Sequence, residues 1–231
     1  MTFQVVFLRH GESEWNQSNR FTGWYDSSLT KNGIKEAKQA GVLLKKNKFS
    51  FDIAYTSVLK RAIYTLWSIL KEINQPWLKV HKTWRLNERH YGELQGFNKE
   101  SVIETYGKKK IIDWRRSFKA IPPKMKTLTN KFSGYDQRYS NMKEQDIPYT
   151  ESLKLTLKRV LPYWNNIIIP QMKNKKKIIV VAHGNSLRAL FTLLDNIHDK
   201  DVPDLNIPTG KPIIYEFNKN CEPIRYYYLQ K

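Results

Sequence analysis

The sequence predicts an α/β protein, a three-layer α/β/α sandwich around a mostly parallel central sheet. Short apolar runs rich in β-branched residues, Phe3-Gln4-Val5-Val6-Phe7-Leu8 and Ile178-Ile179-Val180-Val181-Ala182, read as strands buried on both faces. Between and after them, strand signals alternate with helical periodicity, the pattern of a sheet covered by helices on both sides. Both runs also end in histidine-glycine, at His10-Gly11 and His183-Gly184. In an open α/β sheet the functional crevice lies beyond the carboxyl ends of the strands, so these turns are expected to meet there.

The remaining elements follow in order. Thr30 is placed to cap a helix whose Ile34, Ala37, Gly41 and Leu44 recur at helical spacing. Asp52-Ile53-Ala54-Tyr55 reads as a short strand ending at Thr56-Ser57. The next helix carries Ala62, Leu66, Ile69 and Ile73 on one face, with Arg61 in its first turn at that strand's exit. Residues 100–118 read as two short helices. Residues 119–145, with Pro122-Pro123 and little periodicity, read as an insertion or lid on a single domain spanning 1–231. Thr150 is the expected cap of a helix through 171, which shows Leu153, Leu157, Val160, Leu161, Trp164 and Ile168 on one face and which Pro162 should kink. A strand into His183, a helix through Leu187, Leu190, Leu193 and Leu194, and strands at 213–217 and 225–229 complete the chain.

With 231 residues, 40% hydrophobic and 13% aromatic, the chain can bury one sizeable core. No run approaches the roughly 18 to 20 apolar residues of a membrane helix, and only residues 3–8 resemble a signal core, so a cytoplasmic protein is expected. The single cysteine, Cys221, excludes an internal disulfide and a cysteine-based zinc site. Forty Lys+Arg against 21 Asp+Glu give a net charge of +19, which raises a nucleic-acid reading. The lysines, however, are scattered over most expected helices beside many asparagines and isoleucines, as a compositional bias would leave them. No nucleic-acid or membrane partner is therefore expected, although a positive field would help gather a small polyanion.

The two His-Gly turns suggest two imidazoles converging on one phosphate. A neutral imidazole can attack phosphorus, while an arginine and main-chain N–H groups contain the charge on the non-bridging oxygens. Arg9-His10-Gly11-Glu12 is the sharper half: Arg9 offers a planar fork for phosphate oxygens, Gly11 lets the backbone turn closely around a ligand, and Asn16 adds an amide donor. A surface ion pair of Arg9 with Glu12 or Glu14 is the competing reading. His183 precedes Gly184-Asn185-Ser186 at a helix start, where free N–H groups attract anions. Glu88, in Arg85-Leu86-Asn87-Glu88-Arg89-His90-Tyr91-Gly92, is the candidate for proton transfer, against a solvated pairing with Arg89. Arg115 and Arg116, with Lys99, offer cations for a second anionic group, or else a solvated helix face. From their own settings His81, His90 and His198 read as structural.

Together these motifs resemble the cofactor-dependent phosphoglycerate mutases of the histidine phosphatase superfamily. The match runs through residues 9–16, Phe21-Thr22-Gly23-Trp24, Tyr55 to Ala62, 85–96, Trp114-Arg115-Arg116-Ser117, Thr150 to Lys154, 183–188 and Asn206 to Gly210. The resemblance implies a phosphoglycerate mutase-like fold with His10 as the phosphorylated nucleophile, Glu88 as proton donor and acceptor, and His183 as transition-state stabiliser. It implies that Arg9, Asn16, Arg61 and Asn185 bind the transferring phosphate. Around the substrate's carboxylate and second phosphate it places Ser13, Thr22, Gly23, Tyr91, Lys99, Arg115 and Arg116, and it counts Arg89, His90 and Gly184 among the substrate-binding residues. The implied activity interconverts 2-phosphoglycerate and 3-phosphoglycerate after priming by 2,3-bisphosphoglycerate, without a metal, in a homo-oligomer, a dimer or tetramer. Ser13 and Gln95 resemble the mutase branch rather than the bisphosphoglycerate synthase branch, which ranks second; a phosphatase is the other enzymatic alternative.

Two departures stand out. Residues 124–143 are more basic than the corresponding segment of such relatives, and the sequence closes at Tyr228-Leu229-Gln230-Lys231 without their lysine-rich tail. Easier access of water to a phosphohistidine is the expected result of the second.

Overall fold

A computed structural model describes residues 2–125 and 136–230; residues 126–135 of the expected lid lie outside the described residues. Six strands form one sheet: β1 (Phe3–Arg9), β2 (Ile53–Thr56), β3 (Val80–Lys82), β4 (Ile178–Ala182), β5 (Ile213–Phe217) and β6 (Pro223–Tyr228). Their order is β3-β2-β4-β1-β5-β6. The pairs β2 with β3, β2 with β4 and β1 with β4 are parallel, whereas β5 runs antiparallel to both β1 and β6. The helices are α1 (Glu14–Gln17), α2 (Lys31–Lys46), α3 (Lys60–Glu72), α4 (Lys99–Tyr106), α5 (Lys108–Arg116), α6 (Leu153–Tyr163), α7 (Ile169–Lys173) and α8 (Gly184–Leu194).

Side-chain alternation along the central strands builds the three layers. Val5, Phe7, Tyr55, Val180 and Ala182 point to one face, against Val160 and Trp164 and against Leu190 and Phe191 of α8. Val6, Leu8, Ala54, Ile179 and Val181 point to the other, against Ala40 and Leu44 of α2 and Leu66 and Ile69 of α3. Strands buried on both faces explain why β1 and β4 read as unbroken apolar runs. Among the described residues no helix is long and apolar enough to cross a membrane.

Several boundaries differ from expectation, each for a local reason. Thr30 does cap α2, accepting from the Gly33 N–H at 2.9 Å. Thr150 does not cap α6: its hydroxyl donates to the Pro122 carbonyl at 2.9 Å, and Ser152 accepts from Leu155 N–H instead. Pro162 lies inside α6 without ending it; the irregularity falls just beyond, where a π-helical turn from Trp164 to Ile168 turns both of those side chains into the core. Gly107, at φ +81°, separates α4 from α5. The described ends of the lid segment are tied down. Pro123 O accepts from Glu93 N–H, and Tyr139 is buried against Trp24 with its hydroxyl held by Asn87. The edge strand β3 was not expected, because Val80-His81-Lys82 carries one apolar residue.

Candidate active site

The site grows from the carboxyl ends of β1, β2 and β4. Arg9 pairs in register with Ala182, and the His10 N–H donates to the Ala182 carbonyl at 3.0 Å. His10 and His183 therefore leave neighbouring parallel strands side by side. Their ring centroids lie 4.9 Å apart at 62°, and both side chains are buried.

His10 Nδ1 is 2.6 Å from the Gly11 carbonyl oxygen. A carbonyl only accepts, so Nδ1 carries the proton and the lone pair sits on Nε2. Arg61 Nε donates toward that lone pair at 3.3 Å, and its other nitrogens donate to the carbonyls of Tyr25 and Gly23 at 2.7 and 2.8 Å. Burial, then the charges of Arg61 and Arg9, hold His10 well below the usual histidine pKa, so the ring is a neutral nucleophile. Burial pushes Arg61 itself down to about 10, which still leaves it charged at neutral pH.

His183 stands at the N-terminus of α8, its N–H donating to Ser186 Oγ at 3.1 Å and its Nε2 lying 2.7 Å from Ser57 Oγ. Its pKa is also held far below normal, first by burial and then by Arg61. Glu88 Oε1 accepts from the N–H groups of Arg89 at 2.8 Å and Asn185 at 3.1 Å. The loop presenting Glu88 is shaped from behind by a buried pair. Arg159 donates to Glu151 at 2.7 Å and to the carbonyls of Arg85, Asn87 and Glu88, while Glu151 also accepts from His90 N–H.

Glu88 and Asn185 face a polar cavity of about 130 Å³. Of the expected residues, Arg9, Asn16, Thr22, Gly23, Glu88, Tyr91, Lys99, Arg115, Arg116, Gly184 and Asn185 line it, with His10, His183 and Arg61 packed together in the adjoining interior. Burial lowers the pKa of Lys99, helped by the neighbouring charges of Arg115 and Arg9, as a crowded cationic site requires. Gly184 leaves room for Arg9, whose Nε would lie 3.3 Å from an added Cβ.

Ser13, Arg89 and His90 do not line the cavity. Ser13 caps α1, exchanging hydrogen bonds with Asn16 and so orienting it. Arg89 lies behind Tyr91, its guanidinium 4.6 Å from the ring centre. His90 turns away because its N–H is held by Glu151; its Nδ1 accepts from Gly92 N–H, its ring faces Trp24, and burial lowers its pKa to about 3. Gly11 serves a different purpose from the one expected: a Cβ there would meet the Gly33 carbonyl oxygen at 2.2 Å, so the constraint is close packing on α2. Arg20, Arg188, Asn206 and Ile207 also line the cavity; all but Arg20 lie in the motifs quoted above, which assigned them no role. Arg188 was within reach of sequence reasoning, since it follows Asn185 by one helical turn.

The profile of the histidine phosphatase superfamily (branch 1) matches residues 5–133 and 126–229. The chain belongs to the histidine phosphatase superfamily. Solved structures agree on the histidine phosphatase fold. A mycobacterial glucosyl-3-phosphoglycerate phosphatase is similar at TM-score 0.73 and 20% identity over 99% of this chain and 97% of that one. An alpha-ribazole phosphatase from Shigella flexneri is similar at TM-score 0.71 and 20% identity, covering 99% and 96%. YhfR of Bacillus stearothermophilus is similar at 0.73 and 18%, covering 96% and 94%. Membership places the chain among phosphoryl-transfer enzymes, and two of these three neighbours are named phosphatases.

Proposed function

We propose that the protein interconverts 2-phosphoglycerate and 3-phosphoglycerate through a phosphorylated His10, with 2,3-bisphosphoglycerate supplying the priming phosphoryl group. The observation that carries this reading is the surplus of cations in a small cavity. Arg9 and Arg61 suffice for one phosphate, yet Arg20, Lys99, Arg115 and Arg116 also reach or line the same space, which suits a substrate with a second anionic group. A cavity of about 130 Å³ has room for a three-carbon acid. Charge-assisted hydrogen bonds of about 1.5 to 3 kcal/mol each offset the desolvation of such a polyanion.

In this reading the substrate hydroxyl attacks phosphorus on His10, the P–N bond breaks, and Glu88 takes the hydroxyl proton. His10 Nε2 then attacks the other phosphate of the resulting bisphosphate. The P–O bond breaks and Glu88 returns the proton to the leaving oxygen. Arg61 and Arg9 hold the non-bridging oxygens throughout, and His183 donates to them as charge builds.

A phosphatase is the second reading, favoured by the names of the structural neighbours, one of which was solved in complex with VO3. It needs the same histidines and delivers the phosphoryl group to water. The two separate in one assay of 3-phosphoglycerate with and without 2,3-bisphosphoglycerate. The mutase reading expects isomerisation that depends on the bisphosphate, survives a chelator and is blocked by vanadate. Phosphate release outpacing isomerisation supports the phosphatase, and no isomerisation at all rejects the mutase.

A further inference from the structure

We infer that Arg188 is a positioning residue that sets the second anion subsite, and with it the preference for substrates carrying two anionic groups; this rests on the phosphoglycerate reading above. Its buried fork spans four oxygens. Nη1 donates to Arg115 O at 3.3 Å and Asn185 Oδ1 at 3.0 Å, and Nη2 to Arg116 O at 3.1 Å and Val202 O at 2.8 Å. Arg115 and Arg116 end α5, so their carbonyls have no partners within the helix. A guanidinium that takes both fixes the direction in which the two side chains enter the cavity.

The same fork also orients Asn185. With Oδ1 committed to Arg188, the Asn185 amide must turn Nδ2 toward Tyr91, whose hydroxyl it meets at 3.1 Å. Arg89 donates to that hydroxyl at 3.0 Å and to Arg115 O at 3.0 Å. With two donors on its oxygen, Tyr91 has only its own O–H to offer a ligand. Burying two cations side by side is costly, and the carbonyls of the cavity-lining Arg115 and Arg116 offset part of that cost. Lysine presents one compact charge and cannot span four acceptors.

The test compares binding of vanadate, a single oxyanion, with binding of 3-phosphoglycerate to the wild type, Arg188→Lys and Arg188→Met, alongside melting temperature. Arg188→Lys keeps charge and length should Arg188→Met not fold. The expected result is a 3-phosphoglycerate Kd weakened at least about tenfold, and severalfold more than the vanadate Kd. A double-mutant cycle with Arg116→Gln should be non-additive, since both changes act on one subsite. Equal losses for both ligands, or no loss for either, overturn the inference. A wild type that binds 3-phosphoglycerate but shows no bisphosphate-dependent isomerisation of it overturns the phosphoglycerate reading itself.

Discussion

Ser57 Oγ lies 2.7 Å from His183 Nε2, so a hydroxyl at the end of β2 orients the imidazole at the end of β4. Removing it in Ser57→Ala should slow phosphoryl transfer to His10 by about twofold to tenfold, the equivalent of one hydrogen bond of about 0.5 to 1.5 kcal/mol between neutral groups. Single-turnover kinetics with an unchanged melting temperature checks it; an unaltered rate would mean that His183 is oriented by other contacts.

The neutral Nε2 of His10 predicts where covalent phosphate resides. His10→Ala should abolish acid-labile phosphorylation, whereas Glu88→Gln should still accept phosphate slowly, because the nucleophile survives and only proton transfer is lost, a contribution of about 100- to 10,000-fold. Label found on another residue of the wild type would remove the assignment.

Breaking the buried ion pair behind the Glu88 loop should be costly. Glu151→Ala leaves the Arg159 guanidinium without its carboxylate and the His90 N–H without an acceptor, and should destabilise the protein by about 3 to 5 kcal/mol. Urea unfolding measures this, and a loss under about 1 kcal/mol would show that water replaces the carboxylate.

Stability should fall on acidification. His10, His90 and His183 have depressed pKa values in the fold, so below pH 6.5 the unfolded chain takes up protons that the folded chain refuses. Each contributes a loss of up to about 1.4 kcal/mol per pH unit, continuing for His90 until about pH 3. Urea midpoints between pH 7 and 5 should show the slope, and His90→Asn should make it shallower. A flat profile would contradict the burial of neutral rings.

Gly11→Ala should destabilise, because its Cβ would sit 2.2 Å from a backbone oxygen of α2 that has little room to retreat. A cost of about 1 to 3 kcal/mol is the usual range for overpacking. Thermal denaturation of the variant tests the contact.

The parts legible in sequence were those whose signal is local. Unbroken apolar runs marked β1 and β4, and the paired His-Gly turns marked what they carry. Thr30 was readable because its cap bond spans three residues, whereas Thr150 and Ser152 are both plausible caps until the Pro122 carbonyl claims one of them. Glu151, just before α6, and Arg159, within it, look like ordinary helix charges, since nothing nearby in sequence announces the four carbonyls of residues 84–88 that bury the arginine. His90 reads as structural from its own setting, and only the family resemblance implied a ligand contact; its backbone N–H is held by a carboxylate 61 positions away and its ring by the Gly92 N–H.

Arg9 stands opposite Ala182 on the parallel ladder of β1 and β4. Adjacent strands in any sheet stand about 4.7 to 4.9 Å apart, and the two imidazoles stand 4.9 Å apart. The backbone ladder thus acts as the ruler for the reaction. A slip of β4 by a single residue would carry one ring to the opposite side of the sheet, so the distance between nucleophile and stabiliser is as stiff as the core itself.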